Sequence, residues 1–132
     1  MAKRRQQKVK IRVEAYEEIR TKVAGVTHED PRSGKNRQEL IRRYIYPGMR
    51  LIAKRDPKNP YGRGHAVMLL FERRRFLRKK RYHLGYLPEG QSENVDKLLQ
   101  RKVPVEVVIT AVTGGTDEKP TRGVNIVIRY PL

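Results

Sequence analysis

The chain has 132 residues, 31 Lys+Arg against 14 Asp+Glu for a formal charge of +17, and no cysteine. That length suits one domain burying roughly two-thirds of its unfolded surface, and the lack of thiols excludes disulfides, thiolate zinc sites and cysteine nucleophiles. The longest apolar run, Ala66–Phe71, is six residues, far short of a membrane span. The basic start MAKRRQQKVK lacks the apolar segment of a secretory signal. The expectation is a soluble cytoplasmic protein, nucleoid-associated in a prokaryote.

The charge is concentrated. Residues 1–10 hold five cations and no acid, and RRRFLRKKR, residues 73–81, holds seven and no acid, so 19 residues carry 12 of the 17 net charges. Cations packed this densely repel one another in the free protein, which points to a polyanionic partner.

In chain order, residues 1–8 read as a mobile basic arm and residues 9–132 as a single domain. VKIRVEA alternates Val9, Ile11, Val13 and Ala15 against polar residues, the period of a half-buried strand. IRTKVAGV reads as a second strand ending near Val26, with a short helix through EAYEEIR as the alternative. Asn36 with Glu39 three residues on is a capping-box spacing. It opens a short helix whose Leu40, Ile41 and Tyr44 share a face, stopped by Pro47-Gly48.

Strands are expected at 49–55, at 64–72 and in YHLGYLP, with the basic run as a hairpin end between the last two. Ser92 is placed to cap a second helix lined by Val95, Leu98 and Leu99. VPVEVVITAV and GVNIVIRY are the clearest strands, joined by the polar TGGTDEKPTR. Six or seven short strands and two short helices predict a mainly β fold, a small antiparallel OB-like barrel.

The stretch DPKNPYGRGHAV, residues 56–67, carries more than a turn requires. Pro57 and Pro60 fix φ on either side of Asn59, whose amide both donates and accepts. Tyr61 offers a ring for base stacking, and Lys58 and Arg63 flank it as phosphate contacts. The plainer alternative is a structural turn, with Tyr61 packed down and Asn59 bonding its own backbone. In the basic run, Arg73, Arg74, Arg75, Arg78, Lys79, Lys80 and Arg81 are phosphate contacts, with Phe76 and Leu77 at the tip free to stack on bases, cover the barrel edge or meet a protein.

VAGVT, PGMRLIAKRDPKNPYGRGHAVML, LGYLP, VEVVITAVTGG and GVNIVI, in this order and spacing, resemble a HIRAN domain over roughly residues 20–130. The most specific pieces are Asp56-Pro57-x-Asn59-Pro60-Tyr61, Ala66-Val67 and Leu84-Gly85-Tyr86-Leu87-Pro88. The resemblance implies a compact barrel related to oligonucleotide-binding folds, of a kind found beside DNA translocases, binding single-stranded DNA and in some members its 3′ end. It implies Asn59 and Tyr61 as ligand-facing residues, and the loop after VAGV as a stacking loop, to which this chain contributes His28. Where the family usually has an aspartate after the tyrosine, this chain has Gly62.

No Gly-Lys-Ser/Thr phosphate loop is present. His28, His65 and His83 fall on separate segments, the carboxylates are scattered, and Ser33 and Ser92 sit in no nucleophile motif; no catalytic site, metal or cofactor is expected. The leading expectation is a non-enzymatic, largely sequence-independent binder of single-stranded DNA or DNA ends, without membrane association. The alternatives are a small RNA-binding protein and an adaptor docking on a helicase, translocase or nuclease through Phe76-Leu77.

Overall fold

The structure is a computed structural model that describes residues 15–132; the expected arm over residues 1–8 and the expected strand through Val9, Ile11 and Val13 lie outside them. Six strands and two helices follow in the order β1 (Tyr16–Lys22), α1 (Arg37–Tyr44), β2 (Arg50–Arg55), β3 (Val67–Arg75), β4 (Arg78–Tyr86), α2 (Glu89–Gln100), β5 (Glu106–Thr113) and β6 (Gly123–Pro131). Among the described residues no helix is long and apolar enough to cross a membrane.

The strands follow the alternation of the sequence. Val67, Leu69 and Phe71 of β3 enter the core with Leu84 of β4, Val107 and Ile109 of β5, and Val124, Ile126 and Ile128 of β6. Fully burying each such side chain contributes about 1.5–3 kcal/mol. Leu40 and Ile41 bring α1 onto this core and Val95 brings α2. Tyr44, Phe71 and Tyr82 form an aromatic cluster, with the Phe71 and Tyr82 rings 5.3 Å apart.

Several boundaries differ from the sequence reading. β1 stops at Lys22 rather than near Val26, and Tyr16–Arg20 of EAYEEIR is strand, not helix. Asn36 does cap α1, its Oδ1 accepting from the Gln38 amide at 2.8 Å, but Glu39 turns to Arg42 instead of completing the box. Ser92 is not a cap. α2 begins at Glu89 behind Pro88, and the Ser92 hydroxyl donates within the first turn to the Glu89 carbonyl.

The expected OB-like barrel does not form. The fold is mixed α/β, with one open antiparallel sheet in the order β1-β6-β5-β2-β3-β4, so that β1 and β4 are its two edges. Closure would need β1 to pair along β4. Instead a single isolated bridge joins Ala24 to Tyr86, and Gly25, at φ +80°, turns the backbone away into the loop that leads to α1.

That bridge requires the backbones to meet closely. A Cβ at Gly85 would lie 2.3 Å from the Ala24 carbonyl oxygen and 2.6 Å from Val23 Cγ1, whereas Gly90 in α2 has nothing within 4 Å. Gly85→Ala is therefore expected to destabilise by about 1–3 kcal/mol. Gly90→Ala should be neutral or gain up to about 1 kcal/mol. Urea unfolding checks both, and equal midpoints for the two variants would contradict the close approach of Ala24 to β4.

Candidate nucleic-acid interface

The link from β2 to β3 is a chain of tight turns. Asp56 N–H donates to the Ala66 carbonyl at 2.8 Å and closes its base. Within it, Asn59, Gly62 and His65 each donate to the carbonyl three residues back. Asn59 Oδ1 accepts from Tyr61 N–H at 2.9 Å, and its Nδ2 points to Asp56 Oδ2 at 3.5 Å. The amide is thus bonded to its own loop, as in the plainer reading of this stretch. Tyr61 is not packed down: it is 86% exposed.

Gly62 faces Ala66 so closely that a Cβ would lie 2.4 Å from the Ala66 Cβ. The loop folds back on itself there, and no carboxylate side chain fits at this position. The adjoining turn passes through Arg63 and Gly64, at φ 50° and 83°.

Asn59 and Tyr61 line a groove of about 810 Å³ together with His28 of the loop after β1, Tyr86, Leu87 and two carboxylates, Glu29 and Glu89. Three residues expected to act together therefore meet. Lys58 and Arg63 do not line the groove.

The groove also receives a residue that the sequence reading did not single out. Arg37, 3% exposed, donates from Nε to the His83 carbonyl at 3.0 Å, from Nη1 to the Gly25 carbonyl at 3.0 Å, and from Nη2 to His83 Nδ1. Its guanidinium lies 5.9 Å from the centre of the Tyr86 ring. A signal was available: Arg37 is the first residue of α1, where the helix dipole disfavours a cation, so a tertiary partner has to hold it.

That partner is a buried knot on β4. Asp30 accepts from Arg32 N–H at 2.8 Å, Ser33 Oγ at 2.9 Å and His83 N–H at 3.0 Å. Burial works to raise its carboxyl, but these hydrogen bonds outweigh burial and hold it below the ordinary carboxylate range. Burial, then the Arg37 cation, push the His83 imidazole down to about 4. It is neutral at pH 7, accepting at Nδ1, and its buried Nε2 has no protein partner.

The basic run forms the far end of the β3–β4 hairpin. Arg73 faces Lys80, Arg74 faces Lys79 and Arg75 faces Arg78 across the ladder; only Glu72, opposite Arg81, supplies a charge of the other sign, at 2.9 Å. By alternation Arg73, Arg75, Arg78 and Lys80 share a face, and they line a second concavity of about 670 Å³ with Tyr44 and Tyr82. Arg73 lies 4.0 Å over the Tyr44 ring and Lys80 5.3 Å from that of Tyr82. Arg74 and Arg81 line neither concavity.

At the tip, Phe76 and Leu77 form a two-residue turn and are 90% and 100% exposed. Phe76 has φ 57°, a conformation that costs a non-glycine residue about 1–2 kcal/mol.

The groove and the cationic cleft are two separate concavities. β4 starts in the cationic cleft at Arg78 and reaches the groove at Tyr86, a run of roughly 27 Å for an extended chain. The 25–36 loop stands between them, with His28 and Pro31 walling the groove and Lys35 the cleft. No protein-family model, no curated protein and no solved structure matches this chain.

The His83 knot sets a pH dependence. Below the unfolded imidazole range, near 6.5, the unfolded chain takes up a proton that folded His83 refuses until about pH 4. Stability is therefore full above 6.5 and falls with pH across this window, at about 1.4 kcal/mol per unit and about 3 kcal/mol in total. The Asp30 carboxylate adds its own loss further down, as pH falls through the carboxylate range. Urea titrations from pH 8 to 4 measure the loss, and NMR should find the His83 ring signals constant down to pH 5. A His83 midpoint near 6.5 would contradict the Arg37 contact.

Proposed function

We propose that the chain is a nucleic-acid-binding module without chemistry of its own, holding single-stranded DNA or the single-stranded end of a duplex through charge and stacking rather than base sequence. The observation that carries this reading is the ladder of three cation-on-cation pairs in the β3–β4 hairpin. Like charges directly opposite one another destabilise a sheet by roughly 0.2–1 kcal/mol per pair. These side chains are solvent-exposed, so the core does not require them. A polyanion laid across the ribbon turns the repulsion into attraction.

Nucleic acid is favoured among polyanions because an exposed aromatic ring accompanies the cations: Tyr61 at the groove, 86% exposed. Phosphates suit the former set of charges and bases the exposed ring. The resemblance to HIRAN domains supports DNA as the first candidate and the groove as the place where a strand or its end is gripped. Arg37 supplies one cation to a groove lining that also carries Glu29 and Glu89, so phosphate attraction rests chiefly on the ribbon.

For single strands the logarithmic salt slope is about −0.7 per phosphate neutralised, so contacts to four to six phosphates give a slope of about −3 to −4. Arg74→Thr with Lys79→Thr removes one repulsive pair and leaves every cation–aromatic contact in place. This double variant should fold at least as stably as the parent and bind a labelled single strand with a slope shallower by about 1.4. An unchanged slope would take the Arg74–Lys79 face of the ribbon out of the interface. RNA of matched sequence binding tenfold tighter than DNA would move the reading to RNA.

Tyr61→Ala should lose about 1–3 kcal/mol of binding at fixed salt, measured by gel shift. Undiminished affinity would remove the groove's exposed ring from the site. With Gly62 in place of an acid, strands with free and with blocked 3′ ends should bind within about threefold of each other.

A further inference from the structure

The proposed function leaves the hairpin tip unexplained. Phosphate contact needs the cations, not the two large apolar side chains at their outermost point. Phe76 and Leu77 touch little of their own protein, being 90% and 100% exposed. A two-residue hairpin turn ordinarily holds Asn-Gly or a similar pair that accepts positive φ, whereas here Phe76 sits at φ 57°. An apolar, strained tip on a ribbon of otherwise polar residues is the reverse of what solubility or turn formation selects.

We propose that the β3–β4 hairpin is a wedge that drives Phe76 and Leu77 between stacked bases where a duplex meets a single strand. The proposal rests on the nucleic-acid reading and deepens it. The geometry fits on three counts. A two-stranded ribbon is narrow enough to enter a nucleic-acid groove. Behind the tip, Arg75 and Arg78 flank it one on each strand, followed by Arg74 with Lys79 and Arg73 with Lys80; cations on both edges of the ribbon can meet phosphates on both sides of an opened step. Apolar side chains inserted between base steps are a general means of unstacking them, with flanking contacts offsetting the loss. A protein partner with an apolar pocket would suit the tip alone but not six cations directly behind it.

The test uses the full chain and a duplex of mixed sequence with a 3′ single-stranded overhang, carrying 2-aminopurine at the junction. Saturating protein should raise the 2-aminopurine fluorescence about threefold or more as the base unstacks. Phe76→Gly with Leu77→Asn places glycine at the one turn position of positive φ, so this variant folds at least as well as the parent. It should bind with the same salt slope as the parent while the fluorescence rise is lost. A parent protein that binds with its full salt slope but leaves the fluorescence unchanged overturns the wedge alone, as does a variant that keeps the rise. A parent protein with no salt-dependent affinity for this or any other polynucleotide overturns the nucleic-acid reading itself. Proximity of the tip is read separately: a bromouridine at the junction should crosslink to Phe76, and crosslinking only in mid-duplex or only along the overhang would place the tip elsewhere and overturn the wedge.

Discussion

Arg37 holds a guanidinium inside the protein and meets it with two carbonyl oxygens and a neutral imidazole, while the nearest buried carboxylate, Asp30, stands one residue removed, bonded to the backbone of His83. Removing one partner of such a buried charged donor costs about 1.5–3 kcal/mol, the range for a hydrogen bond to a charged group. Three distant segments depend on it. Gly25 on the loop, Arg37 at the start of α1 and His83 in β4 are fixed relative to one another by a single side chain. Their placement decides where the sheet stops: the loop that might have continued as a strand along β4 is instead tied across its edge. The same loop then serves as the wall between groove and cleft.

A second buried carboxylate does the equivalent work on the other side of the groove. Asp96 of α2 accepts from Arg55 at 2.6 Å, His65 at 2.9 Å and Gln100 at 2.8 Å. Burial acts to raise this carboxyl, and the hydrogen bonds outweigh it and hold it below its ordinary range. Arg55 ends β2 and His65 precedes β3, so one side chain clamps both feet of the Asp56–Ala66 loop to a helix. With its feet fixed and Asn59 bonded within the loop, Tyr61 is exposed on a stiff support. A ring so held loses less freedom on meeting a ligand than one on a slack loop.

What the sequence disclosed and what it withheld follow from the range of the interactions. The hairpin, the faces of α1 and α2, and the strands at Val107–Ile109 and Val124–Ile128 are written in local periodicity, and they form where the pattern puts them. Charge clustering placed the cations at a hairpin end because Phe71 and Tyr82 mark where the buried alternation ceases. Barrel closure is different in kind. It depends on whether residues near 24 register along residues near 86, and nothing periodic in either segment reports that; the outcome turns on Gly25 and on a hydrogen bond from Arg37, twelve residues on. Pro88 hid the start of α2, since Ser92 offers the better capping side chain yet lies inside the helix. Asn59 was legible by half: its rigidity follows from its flanking prolines, but the use of its amide within the loop required coordinates. Asp30 and His83 looked like ordinary polar residues because the sequence does not say which charges are buried, and the one local hint at Arg37 was a cation at the unfavourable end of α1.

Beyond Phe71 and Tyr82 the β3–β4 ribbon buries nothing: residues 72–81 are all exposed. It is held by ladder hydrogen bonds, by Arg73 on Tyr44 and Lys80 on Tyr82, and by the one Glu72–Arg81 pair. Against these stand three like-charge pairs and a strained turn. A two-stranded ribbon without a core is marginal even with favourable cross-strand pairs. Threonines along the strands and Gly-Asn at the turn would relieve every one of these strains without altering a buried atom. The fold by itself does not account for the ribbon's composition, whereas the proposed polyanion does. Whatever neutralises the cations also stiffens the ribbon that carries them, since the same Coulomb term enters both equilibria. Ligand affinity and ribbon order are then one linked quantity, and raising the salt concentration acts on both in opposite senses: it screens the repulsion that frays the free ribbon and weakens the attraction that would hold a polyanion against it.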